Sequence, residues 1–564
     1  MIFHPPAWLP AISNDFSSLG TVGDFVLAGQ PDGECFNPSP AESAVLVVAQ
    51  GDESKTAGQL ARDVEALAAA LAHDLKWSPN EELAPGEGEK VIAILSENTV
   101  DYLTCCWAIH RLGATCLLLH GSTPPHENAT HIRKSSCQAL ITSPMLLQSG
   151  RATMAAAGVA KPAFFLNGNN VSDGEQIKTI EDLFASGDAL DKLPPLRAIN
   201  PIAYLCPTSG TSGLQKLARL THTGIMANIL QLSAIERLSR KDWEIVLGIL
   251  PLSHVQGIVS SHTSVYLRDR IIMHTKFDMQ AALGSVQTHR INRLYLVPSV
   301  LAALIGNPFL FKAFNLSSIK SVYVGAGNVT PELRAKVLAA QPGWNIVTGY
   351  GLTESPAAVS MSSPHEHIPD TVGVLLPSYQ ARLLREDGTE VESFDEPGEL
   401  LVSSPNQAAG YLGDDDATTA VFTNGWLRTG DVAVFRKSPN GDAHLGIVDR
   451  LRDMIKVKGL QVSPVVVEEC LRQHAGVADV AVIGVADELA GERPKAFIVP
   501  AKVEELKGLE GGVDAFFDEL DDFVEARLTE LHWLRGRYEI IGVLPRNPSG
   551  KVSKGVLRAR ENGE

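Results

Sequence analysis

Positive charge is scarce in this 564-residue sequence, which has 48 Lys and Arg residues against 65 Asp and Glu residues and a formal net charge of −17. Proteins that bind nucleic acid hold the phosphate backbone with clustered Lys and Arg. The composition therefore argues against a nucleic-acid partner, and an anionic ligand must meet its positive charge locally. The sequence also contains no internal repeat and no low-complexity segment.

Motifs for metal binding, secretion and membrane insertion are missing as well. The seven cysteines form no C-x-x-C pair, which favours buried, reduced thiols of an intracellular protein. No apolar run reaches the ~20 residues that span a bilayer. The first residues lack the pattern of a signal peptide, and the last do not form a Ser-Lys-Leu peroxisomal address. We therefore expect a cytoplasmic protein without a membrane span.

The chain is too long for one hydrophobic core, so several domains are expected. Residues 1 to about 50 show little periodicity and indicate an extended lead-in over the surface. From residue 56 to about 350, helical patterns alternate with short apolar runs, which is typical of largely parallel sheets with helices on their faces. After about residue 380, short alternating strands with Asp-Gly and Asn-Gly turns predict an antiparallel, barrel-like part. Residues beyond 450 predict a compact α+β unit.

A loop rich in glycine and hydroxyl groups follows the apolar segment 202–206. Glycine allows backbone N–H groups to approach a ligand closely, hydroxyls add donors and lysine adds a point charge, so the loop suits a polyphosphate. It is not a Walker A loop, because Gln215 and Leu217 flank its lysine where that motif requires Gly and Ser or Thr. A solvated Ser/Gly turn is the alternative. The candidate residues are Thr208, Ser209, Gly210, Thr211, Ser212, Gly213 and Lys216.

Polar or small residues follow three further apolar runs. His254 comes after the run 244–250, at the kind of strand end where parallel sheets bind ligands, although a lone histidine is more often a structural hydrogen-bonding group. Small residues after the run 321–324 would let a flat ring lie against the backbone. The segment 348–354 supplies an aromatic ring, a hydroxyl and a carboxylate, which suit adenine, phosphate and a metal. The latter two sets comprise Gly325, Ala326, Gly327, Thr348, Gly349, Tyr350, Gly351, Thr353 and Glu354.

Charged candidates complete the pattern near the C-terminal end. Asp431 follows a glycine-bearing turn and can accept two hydrogen bonds from a ribose diol, whereas an aspartate that only caps a turn is the commoner case. The segment 446–459 is dense in charge, which by itself indicates a solvated face. Lys551 stands in a Pro- and Gly-containing loop.

In this order the motifs resemble those of the adenylate-forming superfamily, which includes acyl-CoA synthetases, peptide-synthetase adenylation domains and firefly luciferase. The segment 459–464 looks closest to the luciferase, coumarate and medium-chain acyl-CoA ligase branch. The resemblance extends from about residue 60 to Lys551. It rests on five segments in the family order, namely 208–216, 349–354, 429–431, 449–459 and 548–551.

The resemblance implies a two-step reaction. A carboxylate attacks the α-phosphate of Mg-ATP to give an acyl-adenylate and pyrophosphate, and a thiol, usually that of CoA, then displaces AMP. Because a carboxylate and a triphosphate repel each other, such a site needs positive charge on the reacting groups and a metal on the leaving group. The implied fold is α/β, with two αβ sheet subdomains and a small β-barrel in residues 1–450 and a mobile α+β domain in residues 451–564. The implied ligands are a carboxylic acid, ATP, Mg²⁺ and CoA.

The resemblance also assigns roles to individual residues in the first step. Lys551 would bridge the carboxylate and the α-phosphate, and residues 208–216 would hold pyrophosphate. Glu354 would bind Mg²⁺. Adenine would lie between Gly325, Ala326, Gly327 and Tyr350, with Thr348, Gly349, Gly351 and Thr353 around the nucleotide and Asp431 and Arg450 on the ribose. The acyl pocket would contain Asn228, His254, Val255, Gln256, Gly257, Tyr323 and Val324, with His254 near the carboxylate.

For the second step, the family rotates its C-terminal domain about a hinge that corresponds to Arg452. Lys456 would then face the site in place of Lys551, and Lys458 and Gly459 would line a thiol tunnel. The mixture of residues in the acyl set would suit a medium aliphatic or an aryl acid. No residue in the set obviously pairs an ammonium group, so nothing in it favours an amino-acid substrate.

The sequence departs from the family pattern at Gln215 (usually Pro), Leu217 (usually Gly), Arg452 (usually Lys) and the pair 327–328 (usually Ala-Pro). We expect the first two departures to alter loop mobility or pyrophosphate release, and the last to reshape the acyl pocket. Two alternatives stay open: an adenylation enzyme that loads a carrier protein's phosphopantetheine in trans, and a degenerate nucleotide-binding protein. The second would be expected to have lost Lys551, Glu354 or Asp431, and all three are present.

Overall fold

The computed structural model describes residues 1–13, 15–16, 20–29, 44–48, 53–80, 90–160, 163–167, 177–197, 199, 201–208, 215–240, 242–325, 327, 329–501, 512–546 and 551–563. The predictions for Ser209, Gly210, Thr211, Ser212, Gly213 and Ala326 lie outside these ranges.

The described helices lie on the faces of three sheets. Three single 3₁₀ turns cover Pro144–Leu146, Leu451–Asp453 and Glu530–His532. The α-helices are α1 (Val22–Ala28), α2 (Ala57–Leu75), α3 (Tyr102–Arg111), α4 (Pro125–Lys134), α5 (Leu147–Ala156), α6 (Ile180–Gly187), α7 (His222–Ser239), α8 (Val255–Tyr266), α9 (Met279–His289), α10 (Pro298–Ile305), α11 (Pro308–Ala313), α12 (Pro331–Ala340), α13 (Asp415–Val421), α14 (Pro464–Arg472), α15 (Gly512–Glu525) and α16 (Lys554–Glu561).

The described strands largely alternate with these helices up to about residue 345, and the five strands between residues 345 and 403 follow one another without a helix between them. The first twelve are β1 (Ala44–Val48), β2 (Ser54–Thr56), β3 (Val91–Leu95), β4 (Thr115–Leu119), β5 (Ala139–Thr142), β6 (Ala163–Leu166), β7 (Ile202–Thr208), β8 (Lys216–Thr221), β9 (Ile245–Gly248), β10 (Arg270–Met273), β11 (Arg293–Leu296) and β12 (Ser321–Val324). The others are β13 (Asn345–Leu352), β14 (Ser355–Met361), β15 (Val374–Leu375), β16 (Gln380–Leu384), β17 (Gly398–Ser403), β18 (Phe422–Thr423), β19 (Trp426–Lys437), β20 (Ala443–Arg450), β21 (Ile455–Val457), β22 (Leu460–Val462), β23 (Val477–Asp487), β24 (Gly491–Pro500) and β25 (Tyr538–Ile540).

The first sheet has the order β6-β5-β3-β4-β7-β8 and is parallel except for its last pair. Every residue of β3 and β4 is buried, which explains their continuous apolar sequences, because helices cover both faces of a parallel sheet. The predicted first helix is confirmed as α2. Thr56 caps it in a reciprocal capping box with Gln59, and its leucines enter the core.

The second sheet has 14 strands, of which β18 pairs only with β19 beside the main path, and the pairing along that path changes from parallel to antiparallel at β13. Along the path, β1, β10, β9, β11, β12 and β13 pair in parallel, and β2 pairs antiparallel with β1 at the edge. Beyond β13 the pairing is antiparallel through β14, β15, β20, β19, β17 and β16. The predicted antiparallel part therefore exists, and it continues the parallel sheet through one shared strand. Sequence periodicity does not reveal this continuity, because pairing partners are distant in the chain.

The residues after 454 form their own sheet, in the order β22-β21-β24-β23 with β25 beside β24. Helices α14 and α15 bury Val467, Leu471, Phe516 and Leu520 against it. This arrangement is the compact α+β unit expected from the sequence.

Two expectations need correction. The first 50 residues are more than a surface lead-in, since α1 buries Val22 and Phe25 and β1 joins the second sheet. Asp431 does not follow a turn but lies inside the twelve-residue strand β19. The preceding residue is glycine because the pairing of β19 is irregular there, and Gly430 has a φ of +68°.

All six cysteines in the described ranges are buried and unpaired, as expected. No helix in these ranges is both long and apolar enough to cross a membrane.

A group of buried, uncharged histidines lies in the N-terminal core and predicts sensitivity to acid. Burial lowers the pKa of His110 to about 4 and that of His262 to about 3, against a usual value of 6.5. His262 contacts the Tyr204 hydroxyl at 2.8 Å, and His110 contacts the Ala203 carbonyl oxygen at 2.9 Å. Because the unfolded chain takes up these protons first, their contribution to stability is complete above pH 6.5 and falls as the pH drops towards 4.

We expect each of these histidines to lower the free energy of unfolding by ~1.4 kcal/mol for each pH unit below 6.5. The urea midpoint should therefore fall steeply between pH 7.5 and pH 5. His262→Gln, which can keep a hydrogen bond to Tyr204, should flatten this fall, whereas the same change at the exposed His126 should not. An identical pH dependence in all three proteins would contradict the assignment.

Candidate active site

A cavity of about 2220 Å³ lies at the carboxyl ends of the parallel strands, where α/β sheets bind ligands, and the C-terminal unit contributes to its wall. Most of the predicted site residues meet here. Those that line it are Thr208, Lys216, His254, Val255, Gln256, Tyr323, Val324, Gly325, Gly327, Thr348, Gly349, Tyr350, Gly351, Thr353, Glu354, Asp431, Arg450, Arg452 and Lys551.

Asp431 is the centre of a hydrogen-bonded group on one wall of the cavity. Its side chain is almost fully buried, and it accepts a hydrogen bond from the Tyr350 hydroxyl at 2.6 Å and contacts Arg450 Nε at 3.1 Å. Asp431 and Arg450 are register partners on β19 and β20, so the sheet itself sets their pairing. Burial and the Asp431 carboxylate raise the pKa of Tyr350, which keeps its hydroxyl protonated as a donor.

Lys551 brings positive charge to the same wall from the C-terminal unit. The side chain is exposed to the cavity, yet the surrounding protein and the Arg450 guanidinium lower its pKa, with Asp431 opposing them. Its charge also acts on His254, whose pKa is lowered to about 4 by burial and then by Lys551. The imidazole near the cavity is therefore neutral at physiological pH.

His254 and Gln256 are fixed by the start of α8. His254 is the N-cap residue, and its Nδ1 accepts a hydrogen bond from the Gln256 backbone N–H at 3.4 Å. The Gln256 amide lies directly against Gly325, because a Cβ added to that glycine would stand 2.5 Å from Gln256 Nε2. A side chain at position 325 would therefore have to displace this amide.

Glu354 and Lys216 are linked by Tyr411, a residue that the sequence motifs did not reveal. The Tyr411 hydroxyl donates to Glu354 Oε1 at 2.8 Å, and Lys216 Nζ lies 5.1 Å from the centroid of the Tyr411 ring. No group of three or more His, Cys, Asp or Glu side chains suited to a metal occurs in the described ranges. A single carboxylate still fits Mg²⁺, which nucleotide sites bind through one or two carboxylates and the substrate phosphates.

The two departures beside Lys216 have structural partners. His131 Nε2 donates to Gln215 Oε1 at 2.9 Å, so this glutamine ties the start of β8 to α4. Leu217 is buried and pairs with Pro207 across the β7–β8 ladder. Leu217 thus belongs to the core rather than to the ligand surface.

Two predicted acyl-pocket residues do not line the cavity. Asn228 is fully buried and donates to the Ala358 carbonyl oxygen at 2.9 Å. Gly257 packs against the chain before α8, where an added Cβ would lie 2.1 Å from the Pro251 carbonyl oxygen. One and two turns after Asn228 on α7, Leu232 and Glu236 do line the cavity. Spacing of four residues along a helix was the signal that would have found them.

Of the residues predicted for the second step, Arg452 lines the cavity, whereas Lys456, Lys458 and Gly459 do not. The Lys456 side chain is exposed on β21, and Lys458 and Gly459 form the positive-φ turn of the β21–β22 hairpin, with Lys458 Nζ 3.5 Å from Glu530. Arg452 stands in the 3₁₀ turn between the last strand of the second sheet and the C-terminal unit. Lys551 lines the cavity, and Lys456 does not.

Comparison with known proteins shows the family of this chain. A family model described as AMP-binding enzyme matches residues 37–412, and one described as AMP-binding enzyme C-terminal domain matches residues 466–551. The acyl-CoA ligase easD of Emericella nidulans is 40% identical over 580 residues, covering 99% of this chain and 100% of that protein. The acyl-CoA ligase cm3C of Cordyceps militaris is 40% identical over 588 residues, covering 99% and 90%.

Among solved structures, the amide bond synthetase McbA from Marinactinospora thermotolerans is 25% identical, with a TM-score of 0.77 over 96% of this chain and 99% of that one. The anthranilate CoA ligase AuaEII is 20% identical, with a TM-score of 0.81 over 98% and 99%, and shows the same fold. The family models, the full-length relatives and the composition of the cavity agree. The chain belongs to the AMP-binding enzyme family, the adenylate-forming enzymes.

Proposed function

We propose that this chain is an ATP-dependent, AMP-forming acid:CoA ligase, which activates a carboxylic acid as an acyl-adenylate and then forms the acyl-CoA thioester. The observation that carries the proposal is the meeting of Lys551, the Asp431–Arg450 pair and Glu354 in one cavity. The two full-length fungal relatives named acyl-CoA ligases support CoA as the thiol. The coumarate and medium-chain branch and the cytoplasmic location stay predictions.

In the first step the chain's own groups bind and orient the two anions. The Lys551 ammonium lies between the carboxylate and the α-phosphate and offsets their repulsion. Tyr350 and the glycines at 325 and 327 flank adenine, and Asp431 accepts from the ribose hydroxyls. The neutral His254 adds no charge that would compete with Lys551 for the carboxylate.

The leaving pyrophosphate is held on the opposite side of the nucleotide. Thr208, Lys216 and the loop 209–213 bind its oxygens, and Thr353 lies beside the α-phosphate. Glu354 would hold Mg²⁺, which would supply positive charge to the leaving group. Tyr411 orients Glu354 through its hydrogen bond, and its ring contacts Lys216. Tyr411 therefore fixes the position of the carboxylate relative to the ammonium group.

For the second step we assign residues 451–564 to a domain that rotates against residues 1–450. Arg452 is the hinge, Lys456 replaces Lys551, and Lys458 and Gly459 line the path of the thiol. The end of β20 at Arg450 and the start of the C-terminal sheet at Ile455 support a boundary in the intervening 3₁₀ turn.

A pyrophosphate-release screen over aliphatic, aryl and amino acids tests the proposal. We expect release to depend on ATP, Mg²⁺ and a carboxylic acid, and a thioester to form when CoA is added. An acyl-adenylate that ignores CoA but reacts with a phosphopantetheinylated carrier protein would point to the carrier-loading alternative. Absence of pyrophosphate release with every acid would contradict the enzymatic function.

A further inference from the structure

A buried ionic network lies beside the acyl end of the cavity. Arg293 on β11 contacts Glu236 at 2.7 Å and Glu244 at 2.5 Å, while Arg240 contacts Glu236 at 3.3 Å and Asp269 at 2.8 Å. None of these five side chains is more than 8% exposed. Three carboxylates thus face two guanidinium groups inside the protein, where charges persist only when they are paired.

The network reaches the cavity through Glu236 and two tyrosines. Tyr295 and Tyr323 are register partners on β11 and β12, with ring centroids 5.2 Å apart. The Arg293 guanidinium lies 4.6 Å from the Tyr323 ring and donates to the Tyr295 hydroxyl at 3.3 Å. Glu236, Tyr295 and Tyr323 all line the cavity, so its wall is polar here rather than aliphatic.

Strand geometry gives the depth of this polar wall. The nucleotide end of the cavity lies at the carboxyl ends of β11 and β12, beside Val297 and Gly325. At about 3.3 Å per residue, the level of Tyr295 and Tyr323 is ~7 Å further in, and the level of Arg293 is ~13 Å in. If the carboxylate of the acid reacts at the strand ends, the part of the acid that is about 7 to 13 Å from the carboxylate contacts this wall, by the same ~3.3 Å rise.

Hydrogen-bonding capacity on the wall is left for a ligand. The Tyr323 hydroxyl and the Ser260 hydroxyl, which also lines the cavity, make no hydrogen bond to any residue within the described ranges. Both ion pairs of Glu236 go to Oε2, and Tyr295 accepts from Arg293, which leaves its own proton to donate. A hydrocarbon tail would cover these groups without giving them a partner.

We propose that the acid carries a hydroxyl group about 7–13 Å from its carboxylate, by the strand rise above, and that this wall selects it. The inference rests on the proposed ligase function and names its substrate class. The hydroxyl donates to Glu236 and accepts from Tyr323 or Ser260. A neutral group fits best, because two guanidinium groups oppose an ammonium and three carboxylates oppose a second carboxylate.

Matched pairs of acids test this inference by pyrophosphate release. One pair is 8-hydroxyoctanoate and octanoate, and the other is 3-(4-hydroxyphenyl)propanoate and 3-phenylpropanoate, which separates an aliphatic from an aryl source of the hydroxyl. We expect kcat/KM to favour the hydroxylated acid by roughly tenfold or more in at least one pair, because a site built for a hydroxyl rejects the analogue that lacks it.

Variants then assign the preference to the wall. Tyr323→Phe and Ser260→Ala should each lower the ratio of hydroxylated to plain acid, whereas Tyr266→Phe, which removes a tyrosine hydroxyl outside the cavity, should keep it. Equal rates within both pairs, a preference for the plain acids, or an undiminished ratio in both wall variants would each overturn the inference and leave the ligase function standing. Failure of all four acids, while other acids release pyrophosphate, would overturn it as well.

Discussion

Lys551→Ala is expected to lower acyl-adenylate formation by about 10²–10³-fold and to leave thioester formation from a supplied acyl-adenylate nearly unchanged. The lysine enters the cavity beside Asp431 and Arg450, and its charge acts on His254. Alanine would leave the carboxylate and the α-phosphate without the cation that offsets their repulsion. The second half-reaction involves no new bond to the α-phosphate and has no such need.

The two half-reactions are measured separately, as acid-dependent pyrophosphate release and as conversion of synthetic acyl-adenylate with CoA. Lys456→Ala is the matched control, because its side chain lies outside the cavity in this arrangement. It should spare the first half-reaction and lower the second. An equal loss of both half-reactions in Lys551→Ala would refute the role assigned to this lysine.

Asp431→Ala is expected to raise the KM for ATP by about 30-fold or more, since truncating one partner of a buried charge pair costs about 2–5 kcal/mol. The change removes the acceptor proposed for the ribose. It also leaves Arg450 Nε without its carboxylate at 3.1 Å and the Tyr350 hydroxyl without its acceptor at 2.6 Å.

Tyr350→Phe separates these contributions, because it keeps the ring beside adenine and removes only the hydrogen bond to Asp431. We expect a rise of a few-fold in the KM for ATP, in line with a single hydrogen bond of about 1 kcal/mol. The melting temperature of each variant shows whether the fold survives. A KM for ATP that does not change in Asp431→Ala would remove the ribose assignment.

The sequence was informative where chemistry depends on residues close together in the chain. Glycines near Tyr350, the Thr429–Gly430–Asp431 run and Lys551 each stand in short motifs, and the structure brings their described members into one cavity. The parallel sheets were also predictable, because strands such as β3 and β4, buried on both faces, carry unbroken apolar runs.

Other parts of the site depend on pairing between distant segments. Tyr411 reaches Glu354 across 57 residues, and Arg293 reaches Glu236 across the same number. A charged residue such as Glu236 reads as solvent-exposed on a helix until the strand that carries its partner is placed beside it. For this reason the sequence analysis did not include Glu236 among the candidate residues, although its side chain lines the cavity.

The segment that carries Lys551 leads into a helix that contacts the 3₁₀ turn of the proposed hinge. Helix α16 begins three residues after Lys551. Its Arg558 contacts Asp453 of the 3₁₀ turn at 2.7 Å, and both side chains are partly exposed. The Debye length is ≈ 8 Å at physiological ionic strength, so dissolved salt weakens such an exposed pair more than the charges inside the cavity. Both residues lie within residues 451–564, so ionic strength acts on how firmly α16, and with it the segment that carries Lys551, packs against the 3₁₀ turn next to the proposed hinge.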